Sequence, residues 1–182
     1  GWYAHVPGLK VVAPATPACA IGLLRSSIRD DNPVIFTENP GLYGLKGEVP
    51  DDPEFTVPFG KARIAREGKD LTLIAYSRMV HVCLAAAETL AEDGIDAEVV
   101  DVRSLLPLDT ETIYNSVKKT HRAVVVYEDW KSGGFGAEIA ARIQEDCFDS
   151  LDAPVGRVGG LNVPMPYARV LELECIPNDH DV

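Results

Sequence analysis

Apolar positions along the chain change their period in a regular order, and that order predicts alternating strands and helices. Leu9-Lys10-Val11-Val12 reads as a short strand. Thr16-Pro17 then combines an N-cap residue with proline at the first helical position. A helix is expected from Pro17 to about Ile28, with Ala20, Leu23, Leu24 and Ile28 at helical spacing. Asp30-Asp31-Asn32-Pro33 ends it before a strand at Val34-Ile35-Phe36-Thr37. From Glu38 to Gly60 the period lapses, and Pro40, Gly41, Gly44, Gly47, Pro50, Pro53 and Pro58 punctuate an acidic stretch that reads as an extended connection between domains.

Beyond it, strand signals at Lys61 to Arg66 and Leu71 to Tyr76 precede a helix from Met79 to Glu92. Val80, Cys83, Leu84, Ala87 and Leu90 make that helix's apolar face, and Gly94 supplies its C-terminal cap. A strand at Ala97 to Val102 follows, and then a helix opened by Asp109 and ending near Lys119. Ala123 to Tyr127 is nearly all valine, as a strand covered on both faces requires. A helix from Gly136 to Phe148 and a short strand near Val155 to Val158 complete the order. It predicts an α/β fold with a mostly parallel sheet, flanking helices and right-handed crossovers.

Composition narrows the function classes. The 182 residues suffice for one or two domains with a sizeable core. Lys and Arg number 17 against 28 Asp and Glu, a net charge of −11, which repels phosphate backbones and anionic headgroups. Neither nucleic acid nor membrane is an expected partner, and no apolar run nears the roughly 18 residues of a bilayer span. Cys19, Cys83, Cys147 and Cys175 lie far apart without CxxC pairing, so four buried thiols in a reducing compartment are expected. The opening Gly1-Trp2-Tyr3-Ala4-His5 reads as the interior of an element, as in a processed chain or a fragment.

Few residues point to chemistry. Ser132-Gly133-Gly134-Phe135-Gly136 lies between a buried strand and a helix start, where α/β sheets bind anions. Its spacing nevertheless matches no dinucleotide or phosphate-loop fingerprint, and a turn that lets a helix approach its sheet is the plainer reading. Glu128, Asp129 and Trp130 follow the carboxyl end of the same strand, where a carboxylate is usually solvated or paired with Lys or Arg. The four histidines stand apart from any nucleophile motif. Asp30-Asp31-Asn32 could ligate a hard cation, though it also makes a good helix-ending turn.

Several stretches go further. His5-Val6-Pro7-Gly8-Leu9-Lys10-Val11-Val12, Ile28-Arg29-Asp30-Asp31-Asn32-Pro33-Val34, Arg103 to Ile113, Gly134 to Ile139, Leu151-Asp152-Ala153-Pro154-Val155 and Val163-Pro164-Met165-Pro166-Tyr167-Ala168 occur in that order. Together they closely resemble the beta subunits of pyruvate dehydrogenase, the thiamine-diphosphate-dependent decarboxylase component, within the transketolase-like superfamily. The resemblance implies that residues 1–43 end an α/β pyrimidine-binding domain, 44–57 form a linker, and 58–182 form a transketolase C-terminal domain. It also implies oxidative decarboxylation of pyruvate, with acetyl transfer to a lipoyl group.

In that family the beta subunit supplies a cofactor-activating Glu and a His near the reacting centre, from segments ahead of the point matching Gly1. The resemblance therefore leaves no catalytic or cofactor-binding residue on this chain and implies that it is inactive alone, serving assembly. Thiamine diphosphate and magnesium would be held mainly by an alpha subunit. The remaining implied partners are a second beta subunit and the dihydrolipoyl acyltransferase core. A structural potassium site is implied at Ser27, Asp30 and Asn32, partly through backbone carbonyls, and acyltransferase docking at Asp181 and Val182.

Other readings stay open. The substrate could be a branched-chain 2-oxo acid or acetoin, whereas the VPMPYA stretch disfavours 1-deoxyxylulose-phosphate synthase. A nonenzymatic α/β module binding an anion or nucleotide beside Ser132 to Gly136 is the second class. The expected compartment is the cytoplasm, with mitochondrial matrix and plastid stroma equally able to keep the thiols reduced.

Overall fold

Two sheets share one polypeptide in the computed structural model, which describes residues 1–182. The first has three strands. β1 (Lys10–Val12) pairs in parallel with β2 (Val34–Phe36), and the helix α1 (Pro17–Ile28) connects them. α1 begins as its sequence dictates: Thr16 Oγ1 accepts from the Cys19 amide at 3.2 Å and Pro17 occupies the first turn. Val12, Cys19, Leu23 and Val57 close a small core between α1 and this sheet. Residues 44–57 run along α1, where Ser26 Oγ donates to the Val57 carbonyl at 2.6 Å and Arg25 donates to the carbonyls of Asp52 and Phe55.

The second sheet has five strands in the order β3-β5-β4-β7-β8: β3 (Arg63–Arg66), β4 (Leu71–Ala75), β5 (Ala97–Asp101), β7 (Ala123–Trp130) and β8 (Gly156–Gly160). Four are parallel, and β3 is an antiparallel edge. Helices α2 (Met79–Glu92), α3 (Thr110–Thr120) and α4 (Phe135–Asp146) make the crossovers. α2 covers one face, with Met79, Val80, Cys83 and Ala87 against Leu73, Val99 and Val126. α3 and α4 cover the other, with Ile113, Val117, Ile139 and Ile143 against Ile74, Val125 and Tyr127. The α/β fold class with a mostly parallel sheet and flanking helices stands.

Three elements differ from the sequence pattern. β6 (Ser104–Leu106) leaves the C-terminal part of the chain to pair antiparallel with β1, so both parts build the first sheet. Three residues ahead of a proline carry no periodicity. β7 continues to Trp130 because its last pairing, Trp130 with Gly160, follows a register shift that places the polar Glu128 and Asp129 inside the strand. α5 (Arg169–Cys175) is a seven-residue helix whose only buried side chain is Cys175, so no amphipathic stripe announced it.

Capping follows local chemistry. Gly94 takes φ +81° after α2, and the Ile95 amide reaches the Leu90 carbonyl at 2.9 Å. Asp109 caps α3 through the Thr112 amide at 3.2 Å and also binds the Ala62 amide at 2.8 Å. The predicted glycine-rich turn is a close-approach device. A Cβ on Gly136 would lie 2.0 Å from Tyr127 Cδ1, and one on Gly134 would lie 2.4 Å from the Trp130 carbonyl oxygen. α4 can seat on the fully buried Tyr127 ring only because these positions carry no side chain.

Candidate functional site

The strand order fixes where a site can form. From β4 the chain crosses through α2 to β5 on one side, whereas from β7 it crosses through α4 to β8 on the other. The carboxyl ends of β4 and β7 thus border the switch-point crevice at which open α/β sheets bind ligands. Here a cavity of about 300 Å³ is closed on its far side by the N-terminal part of the chain. β4 contributes Tyr76 and Ser77, β7 contributes Glu128 and Asp129, and the segment after β2 contributes Glu38 and Asn39.

Glu128 joins the three elements. Its Oε2 accepts from Asn39 Nδ2 at 2.8 Å, and Oε1 lies 3.8 Å from Arg78 Nη1 at the start of α2. Asn39 Oδ1 in turn accepts from the Gly41 amide at 2.9 Å and caps the single 3₁₀ turn Pro40–Leu42. Ser77 is held at φ +54°, a strained value for a residue with a Cβ, where the chain turns from β4 into α2. Burial, reinforced by the nearby Asp129 carboxylate, pushes the Tyr76 phenol well above its usual range, so it stays protonated.

The lining of this crevice contains neither histidine nor cysteine, and its serine, threonine and tyrosine hydroxyls make no hydrogen bond to its carboxylates. Three carboxylates, Glu38, Glu128 and Asp129, line it. Its geometry suits holding two parts of the chain together. Glu128 and Asp129, which the sequence placed at a strand end, are thus located, with Glu128 paired to an arginine.

The other predicted positions lie elsewhere and apart. Ser27 Oγ donates to the Leu23 carbonyl at 2.7 Å. Asp30 bonds the Lys10 ammonium through Oδ2, and its Oδ1 accepts from the Asn32 amide at 2.8 Å and Nδ2 at 3.0 Å. The Lys10 ammonium and Asn32 lower the Asp30 carboxyl to about 2. The three side chains are engaged with protein donors and acceptors, and Lys10 already neutralises Asp30. Asp181 Oδ2 accepts from the Asn178 amide at 2.9 Å in a capping box, and Val182 packs against the α2 side of the core. His81 Nε2 lies 2.7 Å from the Ala15 carbonyl oxygen, a structural contact between α2 and the entry to α1. All four cysteines are free and buried.

Sequence reading missed the exposed apolar ridge after β8. Val163, Met165, Tyr167, Val170 and Leu171 are solvent-exposed, Tyr167 completely so. Trp130 Nε1 donates to the Val163 carbonyl at 3.0 Å and anchors its base. Contiguous apolar exposure of this kind marks interaction surfaces. The only sequence signal was a run of apolar residues interrupted by two prolines.

Comparison with known proteins places these features. The chain is 53% identical over 174 residues to pyruvate dehydrogenase E1 component subunit beta, mitochondrial, of Dictyostelium discoideum, covering 94% of this chain and 49% of that protein. The Drosophila melanogaster protein of that name is 52% identical, over 100% of this chain and 51% of its own length. Pyruvate dehydrogenase E1 component subunit beta of Rickettsia felis is 50% identical, over 99% and 55%. The chain therefore spans about half the length of the curated relatives it matches. A solved structure described as split gene transketolase, inactive beta4 tetramer, superposes with a TM-score of 0.78 at 26% identity, covering 98% of this chain and 56% of that one. The profile of the transketolase C-terminal domain matches residues 60–182. That match, over the five-stranded sheet and its helices, shows that the chain belongs to the transketolase C-terminal domain family.

Proposed function

We propose that this chain is part of the beta subunit of a pyruvate dehydrogenase, in which it provides framework and assembly surfaces for a thiamine-diphosphate-dependent decarboxylase. The observation that carries this reading is identity of about one half, across essentially the whole chain, to relatives of that name from an amoeba, an insect and a bacterium. In this reading residues 1–43 close the pyrimidine-binding domain, 44–57 link, and 58–182 are the transketolase-type domain, with Glu128 latching one to the other.

The diphosphate and its magnesium do not fit this chain. The crevice offers three carboxylates to a polyanion, and nowhere do three or more His, Cys, Asp or Glu residues stand together as a metal cluster. In this reading the cofactor-binding groups belong to the alpha subunit and to other segments of the beta subunit, and the chain alone is inactive. Potassium at the end of α1, if part of the assembly, would be held by main-chain carbonyls of residues 27–32, since the side chains are already engaged.

The apolar ridge supports assembly with alpha and beta partners. Asp181 and Val182 remain the proposed contact to the acyltransferase core. No helix is long and apolar enough to cross a membrane. Relatives carry both mitochondrial and bacterial names, and four free thiols suit the matrix or the bacterial cytoplasm.

A beta subunit containing this sequence, assembled with a pyruvate dehydrogenase alpha subunit, thiamine diphosphate and magnesium, tests the substrate. Pyruvate should exceed 3-methyl-2-oxobutanoate and acetoin in kcat/KM by at least about tenfold. A preference for either competitor would replace the pyruvate reading.

A further inference from the structure

Beside β8, away from the switch-point crevice, lies a cavity of about 400 Å³ between the ends of β7 and β8, α5 and the segment that follows it. We propose that it binds a small hydroxylated phosphate monoester. Arg157 and Lys131 both line it, and neither makes an ion pair in a chain whose net charge is −11.

Arg157 is held ready for a ligand. Its Nη1 donates to the Lys131 carbonyl at 3.0 Å and to the hydroxyl of the buried Tyr127 at 3.3 Å. Nε and Nη2 make no bond to the protein, leaving the edge of the guanidinium that binds phosphate bidentately. The base of Lys131 is also fixed. Its amide donates to the Gly160 carbonyl at 3.1 Å, and Ser132 and Asn162 clip the next residue to the end of β8 with bonds of 3.2 and 2.8 Å. Its ammonium has no protein partner. Two cations sharing one cavity match a dianion better than a single carboxylate.

The opposite wall sets the rest of the ligand. Asp181 is occupied by the Asn178 amide, whereas Glu174 has no hydrogen-bond partner. A ligand hydroxyl beside the phosphate can donate to Glu174 while every phosphate oxygen stays free to accept from Arg157 and Lys131, whereas inorganic phosphate can reach Glu174 only through its own P–OH. The glycine-rich turn, whose plainer sequence reading was a close approach of helix to sheet, does not line this cavity. There Glu138 already sits in the first turn of α4 and bonds Arg142 at 2.6 Å.

Calorimetric titration of the full chain at constant ionic strength, in phosphate-free buffer, tests the site with inorganic phosphate and glycerol phosphate as probes. Saturable binding of both is expected, with glycerol phosphate tighter. Lys131→Ala should weaken both by about fivefold and Arg157→Lys by about tenfold. Glu174→Ala should erase the advantage of glycerol phosphate. Lys131 is exposed, so its variant reads binding without a folding defect and decides the matter alone if Arg157→Lys does not fold. Absence of saturable binding, or wild-type affinity in either cation variant, overturns the proposal.

Discussion

Substitution of Gly136 by alanine sets two principles against each other, and the structure says which wins. Alanine is favoured over glycine inside a helix by about 1 kcal/mol. The added Cβ would lie 2.0, 2.2 and 2.6 Å from three carbons of the Tyr127 ring. Ordinary carbon contacts need about 3.5 Å, so helix or ring must retreat by roughly 1.5 Å. The ring is fully buried and its hydroxyl is tied to Lys131 and Arg157. Overpacking of this severity costs about 3 kcal/mol, leaving a net destabilisation of about 2 kcal/mol. Urea unfolding should show a lower midpoint at unchanged slope, with a fall of about 4–8 °C in Tm. In a double-mutant cycle, Gly136→Ala combined with Tyr127→Leu should be about 2 kcal/mol less destabilised than the sum of the single variants. A neutral or stabilising Gly136→Ala, or additivity in the cycle, would refute the close-approach reading of the turn.

Other perturbations follow from the same contacts. Glu98 is buried, and although burial alone would raise its carboxyl, Lys119 and Ser116 pull it below 4.5, while Glu98 holds Lys119 above 10.5. Lys119→Met should cost about 2 kcal/mol near neutrality, reduced from the fully buried case because Lys119 is partly exposed. In chemical-denaturation curves the difference from wild type should shrink as pH falls below 4.5, where Glu98 protonates, and as pH rises through the raised Lys119 value. A carboxyl-detected NMR titration should place Asp30 at about 2, and Lys10→Met should return it toward 3.8, with the contribution of the pair lost as pH falls from 3.8 to about 2. Leu23→Ala, in the core shared with Val12 and Val57, should cost about 3 kcal/mol by thermal or urea unfolding. Glu128→Ala should speed amide exchange at residues 39–43 selectively, since both Asn39 and Arg78 lose their shared acceptor. Uniform exchange across the chain would contradict the latch.

Legibility in the sequence tracked how local each signal is. α1 and α2 were readable to the residue because proline, Thr16 and Gly94 mark their ends in the chain itself. β7 was readable as far as its valines, and its last three residues depend on pairing with β8 after a shift, which no local pattern encodes. β6 exists because β1 offers an edge nearly a hundred residues away, and α5 hardly touches the core that would imprint a stripe on it. The glycine turn read most plainly as a close approach of helix to sheet, but what it approaches, the Tyr127 ring, no local pattern names. The candidate crevice was half legible. Glu128 and Asp129 stood at a strand end, but the Glu128 partners Asn39 and Arg78 arrive from 89 residues away and from the start of α2, an earlier crossover. The Arg157 and Lys131 cavity gave no motif at all, since one cation lies on β8 and the other in the turn after β7, 26 residues apart.

Carbon dioxide release from carboxyl-labelled pyruvate, measured side by side for this chain alone and for a chimera, tests the central claim most directly. In the chimera, residues 1–182 replace the matching half of the Dictyostelium discoideum beta subunit, assembled with its alpha subunit, thiamine diphosphate and magnesium. The account predicts no release by the chain alone and turnover by the chimera within about one order of magnitude of the parent enzyme, a barrier change of roughly 1.4 kcal/mol or less. A chimera that assembles yet fails to decarboxylate pyruvate, or release by the isolated chain, would contradict it.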